Sequence, residues 1–245
     1  MINYIKADFN RIGKRIPRYI VMVLAFAAMA AVMLKLADGE TVYGVVDILN
    51  KAVPYICPVF GIIEFFFVYA DDLKAKTMQI AIGHGVSREQ VVVTKWLEFS
   101  LLCLIDLVVL TVEIVICCAI KGALFSGEPA GDVIILMVFG LIRNIGAMGV
   151  TMILIFLTEN VVLSVIVYML ASLGILGAIV GIILTIGPLE NLHLDRYLFS
   201  TLLTTAQSRM IVGTFSVGHI LGIIAYLAAF YFVTVLLFKR RELEF

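Results

Sequence analysis

Residues Asp71–Lys95 read DDLKAKTMQIAIGHGVSREQVVVTK and form a polar, largely charged interruption between two long apolar runs. Ser87 followed by Gln90 is a capping-box pattern, in which the hydroxyl and the amide each satisfy a backbone N–H at a helix start. The pattern predicts that a new helix begins at Arg88.

Two glycines precede this capping box. Gly83 and Gly85 supply the backbone freedom that a sharp turn needs. We therefore expect a short helix around Thr77–Ile82, then a Gly-His-Gly turn, then the new helix. A short helix held across a tight turn would link two membrane helices rigidly. The alternative is a solvated loop that only holds charges.

The composition excludes a soluble domain. Of the 245 residues, 62% are hydrophobic and 15% are charged, and the mean hydropathy is +1.11. The apolar residues cluster in continuous runs near the 20 residues that cross a bilayer, and they do not alternate as in barrel strands. The formal net charge of zero says nothing about partners. The four cysteines all fall inside apolar runs, which favours small core side chains over disulfides or a metal site.

The apolar runs predict an all-α membrane protein with six transmembrane helices in one domain covering residues 1–245. The predicted spans are about 19–36, 52–70, 96–120, 133–157, 161–186 and 220–238. Span two also has a largely apolar approach from Val42, and Pro54 and Pro58 are expected to kink it.

The first residues predict an amphipathic helix at 2–16. Its apolar positions recur at steps of three and four: Ile2, Ile5, Phe9, Ile12 and Ile16. We expect this helix to lie in the membrane surface with its apolar side in the acyl boundary, and Pro17 to redirect the chain.

Lysine and arginine placement predicts the orientation. With the N-terminus inside, the inner side holds Lys6, Arg11, Lys14, Arg15, Arg18, Lys74, Lys76, Arg88, Lys95, Lys239, Arg240 and Arg241. The outer side then holds only Lys35, Lys51, Lys121, Arg196 and Arg209. This bias places both termini in the cytoplasm and makes 71–95 a cytoplasmic loop.

The longest segment between spans is 187–218, which mixes polar residues with large apolar ones. An aqueous loop would not need those apolar side chains, so we expect short helices that re-enter the outer leaflet. Small residues in spans one and five allow close helix approach; they are Ala27, Ala31, Gly174, Gly177 and Gly181.

Charged residues inside the spans are costly unless they are paired or hydrated. They are Glu64, Glu98, Asp106, Glu113 and Arg143. At about 1.5 Å per residue, Asp106 and Arg143 come to similar depths, which predicts an ion pair between spans three and four, with Glu113 as the alternative partner. Such a pair could fix packing, or it could belong to a polar lining or proton relay. Glu64 could face a cytoplasmic cavity or reach Lys95.

Catalytic and metal-site patterns are missing from the sequence. His84, His193 and His219 have no ligand spacing, and the chain lacks HExxH, GxSxG and GxxxxGK[ST]. We expect no catalytic residue and no metal site, and any ATP hydrolysis would come from a partner.

The run from the acidic residues through Thr77 to Gly85-Val86-Ser87-Arg88, followed by Lys95, resembles the first cytoplasmic loop of a known family. These are the permease subunits of ATP-binding-cassette exporters of the second permease type (type V fold). The amphipathic N-terminus and the terminal Phe238-Lys239-Arg240-Arg241-Glu242 are also similar. The closest likeness is to permeases that export lantibiotics, bacitracin-like antibiotics and amphipathic peptides. One departure is Gly83-His84-Gly85, where the family often has a proline.

This resemblance implies a role for each segment. A coupling helix would dock on a separate ATPase subunit through Thr77, Met78, Gln79, Ile80, Ala81, Ile82, Gly83, His84, Gly85, Ser87 and Arg88. The helix at 2–16 would be the interfacial elbow helix, and spans one and five would form a dimer seam with an identical or sister permease. Two ATPase copies would bind ATP and Mg. The complex would sit in a bacterial cell membrane, without nucleic acid, and export an amphipathic peptide, antibiotic or lipid-like compound.

Three other functions remain open. A proton-coupled secondary transporter would use the intramembrane carboxylates and would not need an ATPase, although the chain halves show no convincing repeat. An intramembrane enzyme would need a catalytic constellation in the spans. A membrane scaffold would transport nothing.

Overall fold

The computed structural model describes residues 2–74, 77–186 and 192–240. Over those ranges the chain is helical, without a strand. The α-helices are α1 (Ile2–Gly13), α2 (Ile16–Leu36), α3 (Val42–Lys74), α4 (Thr77–Gly83), α5 (Arg88–Ile120), α6 (Glu128–Thr158), α7 (Val161–Ser172), α8 (Ile175–Leu184), α9 (Phe199–Ile211) and α10 (Val217–Arg240). A 3-10 helix at Leu194–Tyr197 precedes α9.

Five helices are long and apolar enough to cross a membrane: α2, α3, α5, α6 and α10. The pair α7 and α8 meets the same criteria together, which makes six candidate spans if the pair counts as one. The predicted all-α fold is confirmed over the described residues, and the long apolar helices are consistent with the predicted multi-pass membrane protein. The orientation of the spans stays a prediction.

The fifth apolar run differs from the single span predicted at 161–186. It forms two helices bent by 67° to each other, with the break after Ser172. Gly174 caps α8 with φ +78°, in the left-handed region that a side chain disfavours. A glycine that we had expected to serve helix packing therefore makes the bend.

Helix α3 is longer than the predicted span at 52–70. It begins at Val42, as the apolar approach to this span had indicated, and it continues through Pro54 and Pro58 without a break. Its last residues lead towards α4, so Val42 and Lys74 lie at opposite ends of the bundle.

Helix α6 is the centre of the bundle and packs against α3, α5, α7, α9 and α10. Its glycines let large side chains approach the backbone. A Cβ at Gly146 would lie 2.2 Å from the Phe199 ring, and one at Gly149 would lie 2.8 Å from the Phe230 ring. The pattern of small residues predicts close packing for spans one and five and does not indicate this role of span four.

Helix α9 packs against α6 and α10. Leu202 and Leu203 are buried, and Gln207 donates a hydrogen bond to Asn50 near the start of α3 at 3.1 Å. Some of the apolar side chains of the 187–218 segment thus have packing partners, whereas Val212 and Phe215 are exposed. Residues 187–191 lie outside the described ranges, and re-entry of this segment into the membrane stays a prediction.

Candidate functional site

The candidate site is the 77–88 turn, which we define as residues Thr77–Arg88. Helix α4 ends in a Schellman motif: the Val86 N–H donates to the Ala81 carbonyl at 3.1 Å, and the Gly85 N–H donates to the Ile82 carbonyl at 3.0 Å. Gly85 has φ +89°, as this motif requires. These bonds satisfy carbonyls that a helix end otherwise leaves without partners.

Helix α5 begins at once with the predicted capping box, which is confirmed. The Gln90 N–H donates to Ser87 Oγ at 3.2 Å, and the Ser87 N–H donates to Gln90 Oε1 at 3.1 Å. The end of α4 and the start of α5 are therefore both hydrogen-bonded within five residues. The turn is a defined structure, as the glycines and the cap predicted.

Helix α4 has an anchored side and an open side. Met78 is buried in the core, whereas Ile80 is 56% exposed. Gln79 donates to Glu159 in the α6–α7 connection at 3.4 Å, and the ring of the exposed His84 lies 2.8 Å from the Ile80 carbonyl through Nδ1. Thr77, Ala81 and Ile82 are half-buried, and Gly83 and Gly85 are exposed. Ile80 is thus an exposed apolar side chain on a helix whose other side is anchored to the protein.

Arg88 joins the turn to the last helix. Its guanidinium donates to the carbonyls of Phe238 and Lys239 at 2.7 and 3.0 Å, at the C-terminal end of α10. A cation there also interacts favourably with the helix dipole. A second contact joins the same two helices: Lys239 Nζ of α10 lies 2.8 Å from the Glu89 carboxylate of α5. We call this end of the bundle, with α1, α4, the start of α5 and the end of α10, the basic end, and the opposite one the far end.

A buried charge cluster lies next to the turn, where α1 packs on α5. Lys95 is fully buried and pairs with Asp8 of α1 and, at 3.1 Å, with Glu98 of its own helix. Arg11 Nε also donates to Asp8 at 2.7 Å. Burial raises the pKa of Asp8, but the positive charge and hydrogen bond of Lys95 outweigh it and hold that pKa below its ordinary value.

The amphipathic helix at the N-terminus is confirmed as a helix, but its surroundings differ from the prediction. Ile12 is buried in the protein core, and Phe9 packs on the same cluster. We had expected this stripe to lie in the acyl boundary of the membrane. Part of it instead faces α5, because the Asp8–Lys95 pair holds α1 against the bundle.

The predicted Asp106–Arg143 ion pair is wrong. Arg18 of α2 pairs with Glu64 of α3, its Nη2 2.6 Å and its Nε 3.0 Å from the carboxylate. Asp106 lies beside this pair, close enough to interact with both partners. Glu64 therefore reaches neither a cavity nor Lys95. The three side chains form a buried cluster with two carboxylates and one guanidinium.

Arg143 and Glu113 lie elsewhere. Arg143 lines a cavity beside α8 and α9, and Glu113 lies near the Ala30 backbone of α2. Asp106 and Asn144 both border a much smaller space of about 10 Å³, and each has one buried oxygen without a hydrogen-bond partner. A space of this size is at the lower limit for a single water molecule.

The five small residues of the predicted seam have two different settings. Ala27 and Ala31 are exposed on α2. In contrast, a Cβ at Gly177 would lie 2.3 Å from Ser200 Oγ, and one at Gly181 would lie 3.6 Å from Leu198. Gly177 and Gly181 thus face the chain's own segment before and within α9, and contact with a second chain stays a prediction for the alanines.

Sequence reasoning missed Asp8 and Arg18 as partners of buried charges. Asp8 was passed over because it lies in an amphipathic helix, and Arg18 because it sits at the edge of a span, where we counted it only as an inner-side charge. A usable signal existed: Lys95 and Glu64 are charges that burial would make costly, and each needed an opposite charge from a neighbouring segment.

The polar contacts of the site connect helices to one another. Across the described residues, no group of three His, Cys, Asp or Glu side chains could hold a metal ion. The hydrogen bonds and ion pairs instead join α5 to α1 and α10, α4 to the α6–α7 connection, and α2 to α3. A force applied to α4 would reach several helices at once.

In comparisons with known proteins, no protein-family model and no curated protein matches this chain.

Proposed function

We propose that this chain is the permease subunit of an ATP-binding-cassette exporter. A separate ATPase subunit would supply ATP hydrolysis, and the chain would couple it to outward movement of an amphipathic peptide, antibiotic or lipid-like compound. The observation that carries the proposal is the 77–88 turn, a hydrogen-bonded unit with an exposed apolar side chain and direct ties to other helices.

The proposed coupling mechanism follows from the hydrogen bonds that connect the 77–88 turn to other helices. Helix α4 ends in a Schellman motif and α5 starts at once with a capping box, so a push on the exposed side of α4 would move the two helix ends together. The displacement passes to α5 through the chain and to α10 through the Arg88 hydrogen bonds. Packed helices respond by small rigid shifts, so the movement would change the arrangement of the spans.

The partners in this proposal are two ATPase copies, which bind ATP and Mg, and a second permease. The exposed Ala27 and Ala31 of α2 support a seam between permeases, since small side chains permit close approach of two membrane helices. The chain itself would hold no cofactor and catalyse no reaction. Its place would be the cell membrane of a bacterium, with both termini in the cytoplasm.

The test co-expresses the chain with the ATP-binding-cassette ATPase subunit that the proposal requires. We expect the two to purify as a complex and the ATPase rate to rise when the permease is present. Arg88→Glu should uncouple ATP hydrolysis from export, because it places a carboxylate against the α10 carbonyls. Arg209→Glu, an exposed change at the far end, is the control and should leave coupling intact. Normal export by Arg88→Glu would contradict the proposed role of the turn.

A proton-coupled secondary transporter is the second candidate, and the Arg18–Glu64–Asp106 cluster favours it. Two buried carboxylates that share one guanidinium can hold a proton between them. This function predicts transport in proteoliposomes that contain only this chain, driven by a pH gradient and abolished by Asp106→Asn. ATP-dependent export that survives Asp106→Asn would exclude it.

A further inference from the structure

A cavity of about 500 Å³, widely open to the outside of the bundle, lies between α6, α8 and the segment that contains α9. One wall is made by the small residues of the bent helix, Gly174, Gly177 and Gly181. The facing wall has the hydroxyl side chains of α9: Ser200, Thr201 and Thr204. The cavity therefore has both space and hydrogen-bonding groups in a part of the bundle formed by apolar helices.

Arg143 is the cation of this cavity. It lies midway along α6, 15 residues from either Glu128 or Thr158, which is about 22 Å of helix on each side. Its guanidinium has neither a hydrogen bond nor an ion pair with any residue in the described part of the chain. An arginine at this depth is costly unless water or an anion accompanies it.

The other charges of the spans do not compete for Arg143. Glu64 is paired with Arg18, and Glu98 is paired with Lys95. Asp106 lies beside the Arg18–Glu64 pair, and Glu113 lies near the Ala30 backbone of α2. The planar fork of an arginine matches phosphate and carboxylate oxygens, which makes an anionic group the natural partner in this cavity.

Asp195 of the 3-10 helix also lines the cavity. With one cationic and one anionic side chain, the cavity has no excess charge that would concentrate free inorganic anions. Apolar surface adjoins it, since Ile179, Ile182 and Ile183 of α8 are 48%, 61% and 57% exposed. A ligand with a charged head and an apolar tail could use both surfaces, with the tail adding binding energy that a free anion lacks.

We propose that this cavity binds the anionic headgroup of a membrane amphiphile, a phosphate or carboxylate held by Arg143, with the Ser200 and Thr201 hydroxyls of α9 as further donors. As a binding site it does not depend on an ATPase. As the place where cargo is held, it rests on the proposed exporter function. A binding measurement on this chain alone separates the two.

The experiment titrates the full chain, purified in detergent, with dioctanoyl phosphatidylglycerol and measures the dissociation constant by native mass spectrometry. Dioctanoyl phosphatidylcholine, with the same tails and a zwitterionic head, is the matched probe. We expect phosphatidylglycerol to bind at least about tenfold more tightly. Equal binding of the two lipids would overturn the proposal.

Arg143→Gln should remove the preference for phosphatidylglycerol. Arg143→Lys should retain part of it, because lysine keeps the positive charge but lacks the planar pair of N–H donors. Arg209→Gln is the control: this exposed arginine does not line the cavity, and its variant should bind as the unmodified chain does. An Arg143→Gln chain with the full preference would overturn the proposal.

Two further measurements control for misfolding of the variants and distinguish a lipid headgroup from a free anion. Ala178→Phe fills the cavity from an exposed position of α8 without removing a charge, and it should weaken phosphatidylglycerol binding to the same degree as Arg143→Gln. Thermal unfolding of each variant reports whether it is folded. Inorganic phosphate at millimolar concentration should not displace the lipid; displacement would show a site for free anions and would overturn the assignment to an amphiphile.

Discussion

At the scale of single residues, the backbone of the 77–88 turn depends on one glycine more than on the other. Gly85 has φ +89°, whereas Gly83 has an ordinary helical backbone, and neither has a neighbour within 4 Å of the position of a Cβ. Space is therefore equal at the two positions, and only the backbone conformation differs.

This difference gives a matched pair of substitutions. Gly85→Ala should destabilise the turn by about 1–2 kcal/mol, because a side chain disfavours the left-handed region. Gly83→Ala should be neutral or stabilising by up to about 1 kcal/mol, because alanine favours a helix. Hydrogen exchange of the amides of residues 77–92 measures both effects. Equal effects of the two changes would contradict the Schellman geometry.

The buried Arg18–Glu64 pair gives a second prediction at this scale. Arg18→Met should lower the free energy of unfolding by about 3–5 kcal/mol, because it leaves buried carboxylates without their cation. Lys51→Met removes the partner of Asp47 from an exposed pair and should cost less than about 0.5 kcal/mol. Chemical denaturation in detergent measures both.

A double variant tests the cause of the loss. Adding Glu64→Leu to Arg18→Met removes one of the uncompensated carboxylates, so the double variant should be more stable than Arg18→Met alone. A double variant that is less stable than the single one would show that the charges are not the source of the loss.

At the scale of elements, local signals in the sequence predicted more than long-range ones. The capping box, the helix at 77–82 and the Gly85 turn were readable because their hydrogen bonds join residues within five positions of each other. The amphipathic N-terminal helix was readable from its spacing alone. All of these depend on backbone geometry that neighbouring residues determine.

The contacts between elements could not be read in the same way. Counting residues along two spans gave Asp106 and Arg143 similar depths, but depth does not say which way a helix face points. Arg18 reaches Glu64 and Asp106 because α2 packs on α3 and α5. The bend at Gly174 was missed for a related reason, since a glycine in an apolar run serves either close packing or a break.

The docking of α1 on α5 gives the prediction for this scale. Because Lys95 holds the pKa of Asp8 below its ordinary value of 3.8, the Asp8 carboxylate is more stable in the folded state than in the unfolded one. This stabilisation is present above the ordinary pKa and is lost as the pH falls through the folded value.

We therefore expect α1 to stay docked between pH 8 and pH 5 and to detach only in acid below the ordinary value of 3.8. Limited proteolysis at residues 2–15, followed over pH, measures the docking. Asp8→Asn is the reference for a helix without the charged contact. Detachment of α1 between pH 7 and pH 5 would contradict this account of the Asp8–Lys95 pair.

At the scale of the whole molecule, the two ends of the bundle differ in character. The basic end joins α1, α5 and α10 through buried or backbone-directed charges and presents the 77–88 turn. Between the ends, beside α9, lies the cavity of Arg143. In the exporter that we propose, force would enter at the basic end, and the cavity would hold an amphiphile within the membrane.

The most direct test of this account is a photocrosslink from Ile80 to the proposed ATPase subunit. Ile80 is 56% exposed on α4, and Val212, 78% exposed after α9, is the matched position at the far end. With a photoreactive phenylalanine at each position in turn, the account predicts a crosslink to the ATPase from position 80 and none from position 212. A crosslink from 212 alone, or from neither position in a complex that hydrolyses ATP, would contradict it.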